Sequence, residues 1–235
     1  MKKKIINVLK FVGLFFAIRE INGLPAILMV WSRKIPFYAE SLLAIVFLMG
    51  ILVLIRVMWG YYKRYLSEEV KSQSFTKKDI LPLVGYTLLG YIASIVGAQL
   101  TFFLSGQSMP DNQAAIDSVA GLVDKSHLPS SLLFILGISV LTPIMEELIF
   151  RGFGIVYFFQ NDRSLAAGLV TSSLFAFAHL LGVYGIDWVS FPIYFLMGGA
   201  IYLSYAYRRN LKDAMVIHIM KNTLLGIILL LSMFA

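Results

Sequence analysis

Long apolar stretches separated by short polar ones dominate the chain, and their length sets the reading more than any periodicity does. A helix needs about 20 apolar residues to cross the hydrocarbon core of a bilayer. Seven runs of that order are present: Leu9 to Trp31, Phe37 to Gly60, Leu81 to Leu104, Leu132 to Gln160, Leu165 to Leu181, Trp188 to Tyr207 and Ala214 to Phe234. The pattern predicts an all-α, polytopic membrane helical bundle of about seven transmembrane helices, with residues 1–235 as a single integral membrane domain. Two runs are irregular. The first carries Arg19, Glu20, Asn22 and Pro25, which predicts two half-helices broken near Gly23, tolerated only where protein or water covers the freed backbone. The fourth is long and contains Pro143, which predicts a kink.

Composition agrees with this reading. Of the 235 residues 59% are hydrophobic and 14% charged, far outside the range of a soluble globular domain. The basic residues then orient the bundle, because cytoplasmic loops collect Lys and Arg. Lys2, Lys3, Lys4 and Lys10 precede the first run, and Lys63, Arg64, Lys71, Lys77 and Lys78 separate the second from the third. Arg163 follows the fourth, and Arg208, Arg209 and Lys212 follow the sixth. All fall on one side if the N-terminus is cytoplasmic; seven spans would then leave the C-terminus outside. The other side keeps Arg33, Lys34 and Lys125, and its main loop bears Asp111, Asp117 and Asp124. The net charge of +7 therefore reads as topology and affinity for anionic lipid, with no nucleic-acid partner. The absence of cysteine excludes disulfides, thiolate catalysis and cysteine-ligated metals. No small-residue cleavage site follows the lysine-rich start, so the N-terminal segment is expected to be retained.

Against this background a few intramembrane polar residues stand out. Glu146 and Glu147 lie in the fourth run, where burying a charge in hydrocarbon costs roughly 2.5 to 3.5 kcal/mol on insertion scales. Successive helical residues are about 100° apart, so the two carboxylates are expected to have different roles. Glu147 and Arg151 have the favoured i,i+4 order for an ion pair, which leaves Glu146 free for chemistry. His127 belongs to the outer loop, while His179 and His218 fall inside runs five and seven. Treating runs four and five as a hairpin turning at Asn161, Asp162 and Arg163 brings Glu146 and His179 to nearly the same depth, on the order of 25 Å along their helices from the turn. His218 is shallower by the same reckoning, so either helix seven starts deeper or the site is a cavity reaching toward the cytoplasm. Asn222 shares a helical face with His218. Lys221 is expected to snorkel to the interface, and Gly198-Gly199-Ala200 to permit close helix packing. Arg19 and Glu20 are candidates for the cavity or for substrate access, although adjacency alone does not make them a pair.

A carboxylate, two imidazoles, an amide and a buried cation in one cavity can activate water and stabilise an oxyanion, which points to peptide or ester hydrolysis. Glu146, helped by His179, would take the proton of water, and His218 and Asn222 would donate to the oxyanion. No Gly-x-Ser-x-Gly elbow is present. Glu146, His179 and His218 are also a zinc set with one open position. The sequence does not separate the two versions, and the expectation adopted is that no cofactor is required. A proton-coupled transporter would also use such residues, but no internal repeat of the kind transporters show is found.

In order, Glu146-Glu147-x-x-x-Arg151, Phe175-x-x-x-His179 and His218-x-x-x-Asn222 resemble the three motifs of the CPBP family of intramembrane proteases. That family includes type II CAAX prenyl proteases and bacterial abortive-infection or bacteriocin-immunity proteins. The resemblance covers a core of about residues 132–225; the first three spans, 9–104, carry no matching motif. It implies endoproteolysis of a peptide or membrane-associated protein, with Glu146, His179 and His218 as the catalytic centre and Glu147, Arg151 and Phe175 in support. It also admits a non-proteolytic scaffold or immunity protein, with a membrane sensor kinase or a peptide-export system as partner. The compact chain reads as bacterial and its location as the plasma membrane.

Overall fold

In the computed structural model, which describes residues 2–160, 163–182 and 185–234, the apolar runs become helices that pack side by side. In chain order these are α1 (Lys2–Ser32), α2 (Phe37–Tyr62), the short α3 (Glu68–Ser72), α4 (Lys77–Ser105) and α5 (Asp111–Ala120). They are followed by α6 (Leu128–Leu136), α7 (Thr142–Glu147), α8 (Ile155–Phe159), α9 (Leu165–Leu180), α10 (Phe191–Arg208) and α11 (Leu211–Ser232). An antiparallel pair, β1 (Leu181–Gly182) with β2 (Gly185–Ile186), follows α9.

Among the described residues six stretches are long and apolar enough to cross a membrane: Lys4–Ser32, Phe37–Tyr65, Lys77–Ser105, Lys125–Phe159, Trp188–Arg208 and Leu211–Ser232. The chain is therefore a multi-pass helical membrane protein. The remaining expected span, α9, has 16 residues, about 24 Å of helix against a core of about 30 Å. Its turn toward α8 was expected at Asn161 to Arg163, of which Asn161 and Asp162 lie outside the described residues.

The first run does not break into half-helices. α1 continues through Gly23 and Pro25, and the proline ring lies against Gly137, where an added Cβ would sit 3.1 Å from it. The ring packs on the fourth span, while Asn22, Gly23 and Pro25 also line a cavity inside the bundle, so this turn is covered partly by protein and partly by the cavity. The fourth run is irregular in a different way from a simple kink. α6, α7 and α8 are segments of one continuous span joined by two π-helical stretches, Gly137–Leu141 and Leu148–Gly154. π-turns are rare and concentrate at functional positions. All seven residues of the second stretch are buried, Arg151 among them. Its own Leu148, Phe150 and Phe153 join Met145 and Phe175 in the core.

Polar contacts tie each end of the bundle together. At the end with the basic loops, Arg208 grips Asp213 with Nε and Nη2 at 2.8 and 2.6 Å and Asp79 with Nη1 at 2.8 Å, joining α4, α10 and α11. At the other end, Glu40 is buried and accepts from Ser130 N at 2.9 Å, Ser130 Oγ at 2.7 Å and His127 Nδ1 at 3.2 Å, fixing α2 to the start of α6. Asp124, beside it, lies below the ordinary carboxylate range. Slight burial opposes this, and the backbone N–H groups of Ser126 and His127 outweigh it. The connection that the sequence left as a loop holds a helix, α5, whose residues lie over the interior of the bundle at this end.

Candidate active site

Glu146 sits one residue before the end of α7, and its carboxylate is flanked by both membrane histidines. Oε1 is 3.8 Å from His179 Nε2, and Oε2 is 3.8 Å from His218 Nε2. Each imidazole is oriented through its other nitrogen. His179 Nδ1 is 2.9 Å from the Phe175 carbonyl, which can only accept, so this nitrogen carries the proton and Nε2 turns a lone pair to the site. His218 Nδ1 is 2.8 Å from Glu147 Oε1. The expected Glu147–Arg151 pair is present at 3.1 Å with both side chains fully buried. Arg151 also donates from Nη2 to the Gly198 carbonyl at 2.7 Å and lies 4.7 Å over the Phe175 ring.

Both glutamates therefore reach one imidazole, from its two ring nitrogens. They do so with different neighbours, which is how successive positions on a helix divide their directions. The depth discrepancy of His218 resolves because helix seven of the sequence reading starts deeper. Leu211 at the head of α11 is buried against Gly152, where an added Cβ would meet its Cδ2 at 3.3 Å. Gly152 is six positions beyond Glu146 and His218 seven beyond Leu211, so the two antiparallel helices bring the side chains level. Asn222, one turn past His218, donates from Nδ2 to the Ile138 carbonyl at 3.0 Å. That carbonyl sits in the first π stretch: the N–H of Thr142 goes to Gly137, and the next residue, Pro143, has none to give.

These groups line one cavity of about 550 Å³. Glu146, His179, His218 and Asn222 form its inner wall, α1 supplies Arg19, Glu20 and Asn22, and α5 supplies Asn112 and Gln113. Arg19 and Glu20 do pair, at 3.1 Å, and Arg19 also holds the Leu181 carbonyl at 2.9 Å. Lys221 does not snorkel away from the site. It lines the same cavity beside the Tyr91 ring, 5.9 Å from its centroid. The glycine stretch serves close packing as expected: a Cβ at Gly198 would lie 3.1 Å from Arg151 and from Phe175.

Several contributors escaped the sequence reading. The His218–Glu147 bond joins residues 71 apart, and the Gly198 carbonyl is a backbone group. Tyr194 stacks on His179 at 4.6 Å and takes a bond from Asn112 at 3.4 Å. No local spacing signals any of these. A metal can be judged by the fit of the residues. Zinc held at about 2.0 to 2.1 Å sets its donors about 3.4 Å apart, against 3.8 Å for both carboxylate–imidazole pairs. Among the described residues no three such side chains stand in an arrangement that could hold a metal ion. The donor types suit zinc and the spacing does not, so no step below passes through a metal.

Fold and site together define a polytopic helical membrane protein with a carboxylate–imidazole cavity between its spans. Residues 128–224, which carry all three motifs, match the Rce1-like family of type II CAAX prenyl endopeptidases, which bears out the resemblance read from the motifs. The chain is 29% identical over 164 residues to the membrane-embedded CAAX protease MroQ of Staphylococcus aureus, covering 66% of this chain and 61% of that one. It is 42% identical over 103 residues to the UPF0177 protein YajF of Lactococcus lactis, covering 43% and 42%. The chain thus spans less than two thirds of the length of either relative. No solved structure matches it.

Proposed function

We propose that this chain is an intramembrane endopeptidase that hydrolyses a peptide bond of a peptide or membrane-associated protein, with water activated by Glu146 and no cofactor required. One observation carries the reading: a single carboxylate stands 3.8 Å from two imidazoles on the wall of a cavity inside the bundle. A water at ordinary hydrogen-bond distance, about 2.8 Å, from both partners fits a gap of that width. Glu146 accepts its proton while His179 Nε2 accepts its second hydrogen. The oxygen adds to the scissile carbonyl carbon, and the carbonyl oxygen becomes an oxyanion. His218 serves that oxyanion as an imidazolium: Glu147 accepts from Nδ1 and stabilises the charged ring, and Nε2–H donates. Asn222 uses one amide hydrogen on Ile138 and has a second to offer. The proton held by Glu146 passes to the leaving nitrogen as the C–N bond breaks, which regenerates the carboxylate. The matched relatives are bacterial, and we place the enzyme in the bacterial plasma membrane.

The test is a cleavage assay on the reconstituted protein, using peptides that accumulate in cells carrying Glu146→Ala. Glu146→Ala and His179→Ala are each expected to lower the rate by about 10²- to 10⁴-fold, the range of positioned acid–base groups. Wild-type rates in both variants would remove this assignment. A chelator arm decides the cofactor: activity lost on chelation and restored by zinc overturns the metal-free mechanism.

A further inference from the structure

Lys221 is the cation that the reaction above leaves unused. It lies one turn beyond His218 on α11, inside a membrane span, and lines the cavity together with Glu146 and His218. Its stem runs along α4, where a Cβ at Gly90 would lie 3.9 Å from Lys221 Cδ. Among the described residues its ammonium makes no hydrogen bond and no ion pair, and its nearest recorded neighbour is the Tyr91 ring. The carboxylates of the cavity are claimed by other groups: Arg19 holds Glu20, and Glu146 faces the two imidazoles. The hydroxyls on the α4 side are spent as well. Tyr91 donates to the Lys221 carbonyl at 2.9 Å, and Ser94 donates to the Gly90 carbonyl at 2.9 Å. A charged side chain within a span is costly and marks a functional position whose partner has to be named.

We propose that Lys221 is a specificity-determining residue of this cavity and that its ammonium pairs with a carboxylate of the bound polypeptide; this rests on the endopeptidase reading only for what happens to the chain once bound. His218, Lys221 and Asn222 stand at i, i+3 and i+4, so they share an arc of about 100° on one face of α11. The ammonium therefore serves the same space as the imidazole and the amide assigned to the oxyanion.

A polypeptide fits this wall better than a lipid phosphate does. Asn22 Oδ1 is buried at the cavity with no hydrogen-bond partner among the described residues, and Asn112 and Gln113 add two further side-chain amides to the lining. An amide matches a peptide unit with both its donor and its acceptor. The carboxylate comes from an Asp or Glu side chain or from the end of the bound chain. Helical neighbours at i and i+3 have Cβ atoms about 5 to 6 Å apart, and an extended chain covers about 3.3 to 3.6 Å per residue. The carboxylate is thus placed within about three residues of the bond cut. A ligand with a neutral amide there leaves the ammonium unpaired, and a site that pairs a polar group discriminates against the analogue that lacks it.

The probes are fluorescent peptides based on one that accumulates in Glu146→Ala cells, identical except for Glu, Gln or Lys scanned along the chain, each with a free and an amidated C-terminus. Binding is read by anisotropy on the whole chain carrying Glu146→Ala, in nanodiscs of neutral lipid, so that no peptide is consumed. At one position the Glu peptide is expected to bind about 10-fold or more tighter than the Gln peptide, the effect of one hydrogen bond to a charged group. A difference between free acid and amide instead assigns the carboxylate to the C-terminus. Lys221→Met, which keeps the apolar stem, is expected to remove the preference. Lys221→Glu is expected to reverse it in favour of the Lys peptide, a gain that misfolding does not produce. Acidic and neutral peptides that bind alike overturn the proposal, as does a preference that survives Lys221→Met. So does Lys221-dependent binding of phosphatidylglycerol with indifference to peptide carboxylates. Cleavage kinetics without the Glu146 substitution add a second readout: Lys221→Met is expected to raise KM for the acidic peptide, whereas an equal fall in kcat for acidic and neutral peptides would put the ammonium on the oxyanion and overturn the assignment. A Lys221-dependent preference in a protein that cuts none of the peptides removes the endopeptidase reading and leaves the carboxylate subsite standing.

Discussion

At the residue scale the site is organised around one ring. His218 lies between two adjacent carboxylates, with Glu147 at Nδ1 and Glu146 beyond Nε2. The sequence shows the Glu147–Arg151 pair because four positions is a helical repeat. It hides the third partner, because the separation of His218 from Glu147 along the chain carries no local signal. In the proposed mechanism Glu147 is a positioning residue, and Glu147→Gln tests it. The amide keeps the shape but loses the charge that stabilises an imidazolium, so kcat is expected to fall by about 10²-fold or more with KM nearly unchanged. An equal rise in KM would show that Glu147 serves binding instead. Arg151→Ala has a different expected effect, since it strips a buried carboxylate of its guanidinium. A loss of about 3 to 5 kcal/mol is expected, read as a lower unfolding temperature in detergent.

At the element scale the length and order of the helices were legible, and their internal irregularities were not. Apolar runs of about 20 residues fix spans, but π-helical register depends on what surrounds a segment. The two stretches in the fourth span arise where α1, α9 and α11 close on it. Pro25 misled in the same way. Its effect on α1 is contained because Gly137 leaves room for the ring. The tight passage between α10 and the fourth span gives a sharp test. Gly198→Val drives a side chain into space 3.1 Å from Arg151 Nη2 and from the Phe175 ring. It is expected to destabilise by about 1 to 3 kcal/mol, the ordinary cost of overpacking. It should also abolish cleavage, although position 198 touches no reacting atom. Retained activity with normal expression would show that α10 yields easily.

At the scale of the whole molecule, the bundle is held at both ends and hollow toward one. The composition predicted a membrane protein, and six long spans with one short apolar helix bear that out. The position of the cavity was beyond the sequence, because it depends on α5, a helix whose own composition is unremarkably polar. Glu40 shows how the helices at that end are held together. It is 1% exposed and joins α2 to α6 through three bonds. Glu40→Ala is expected to lower stability by about 2 kcal/mol, since hydrogen bonds to a charged group are worth about 1.5 to 3. An unchanged unfolding temperature would count against that role. A last consequence concerns Pro143, Ile138 and Asn222. A residue that cannot donate leaves a carbonyl open, and the asparagine of a distant helix is anchored on that carbonyl. The third motif is thereby set by an imino acid three positions before the first. Across relatives, positions 143 and 222 should drift as a pair: where the proline has gone, an N–H reclaims the carbonyl, and the asparagine loses its reason to be kept in place.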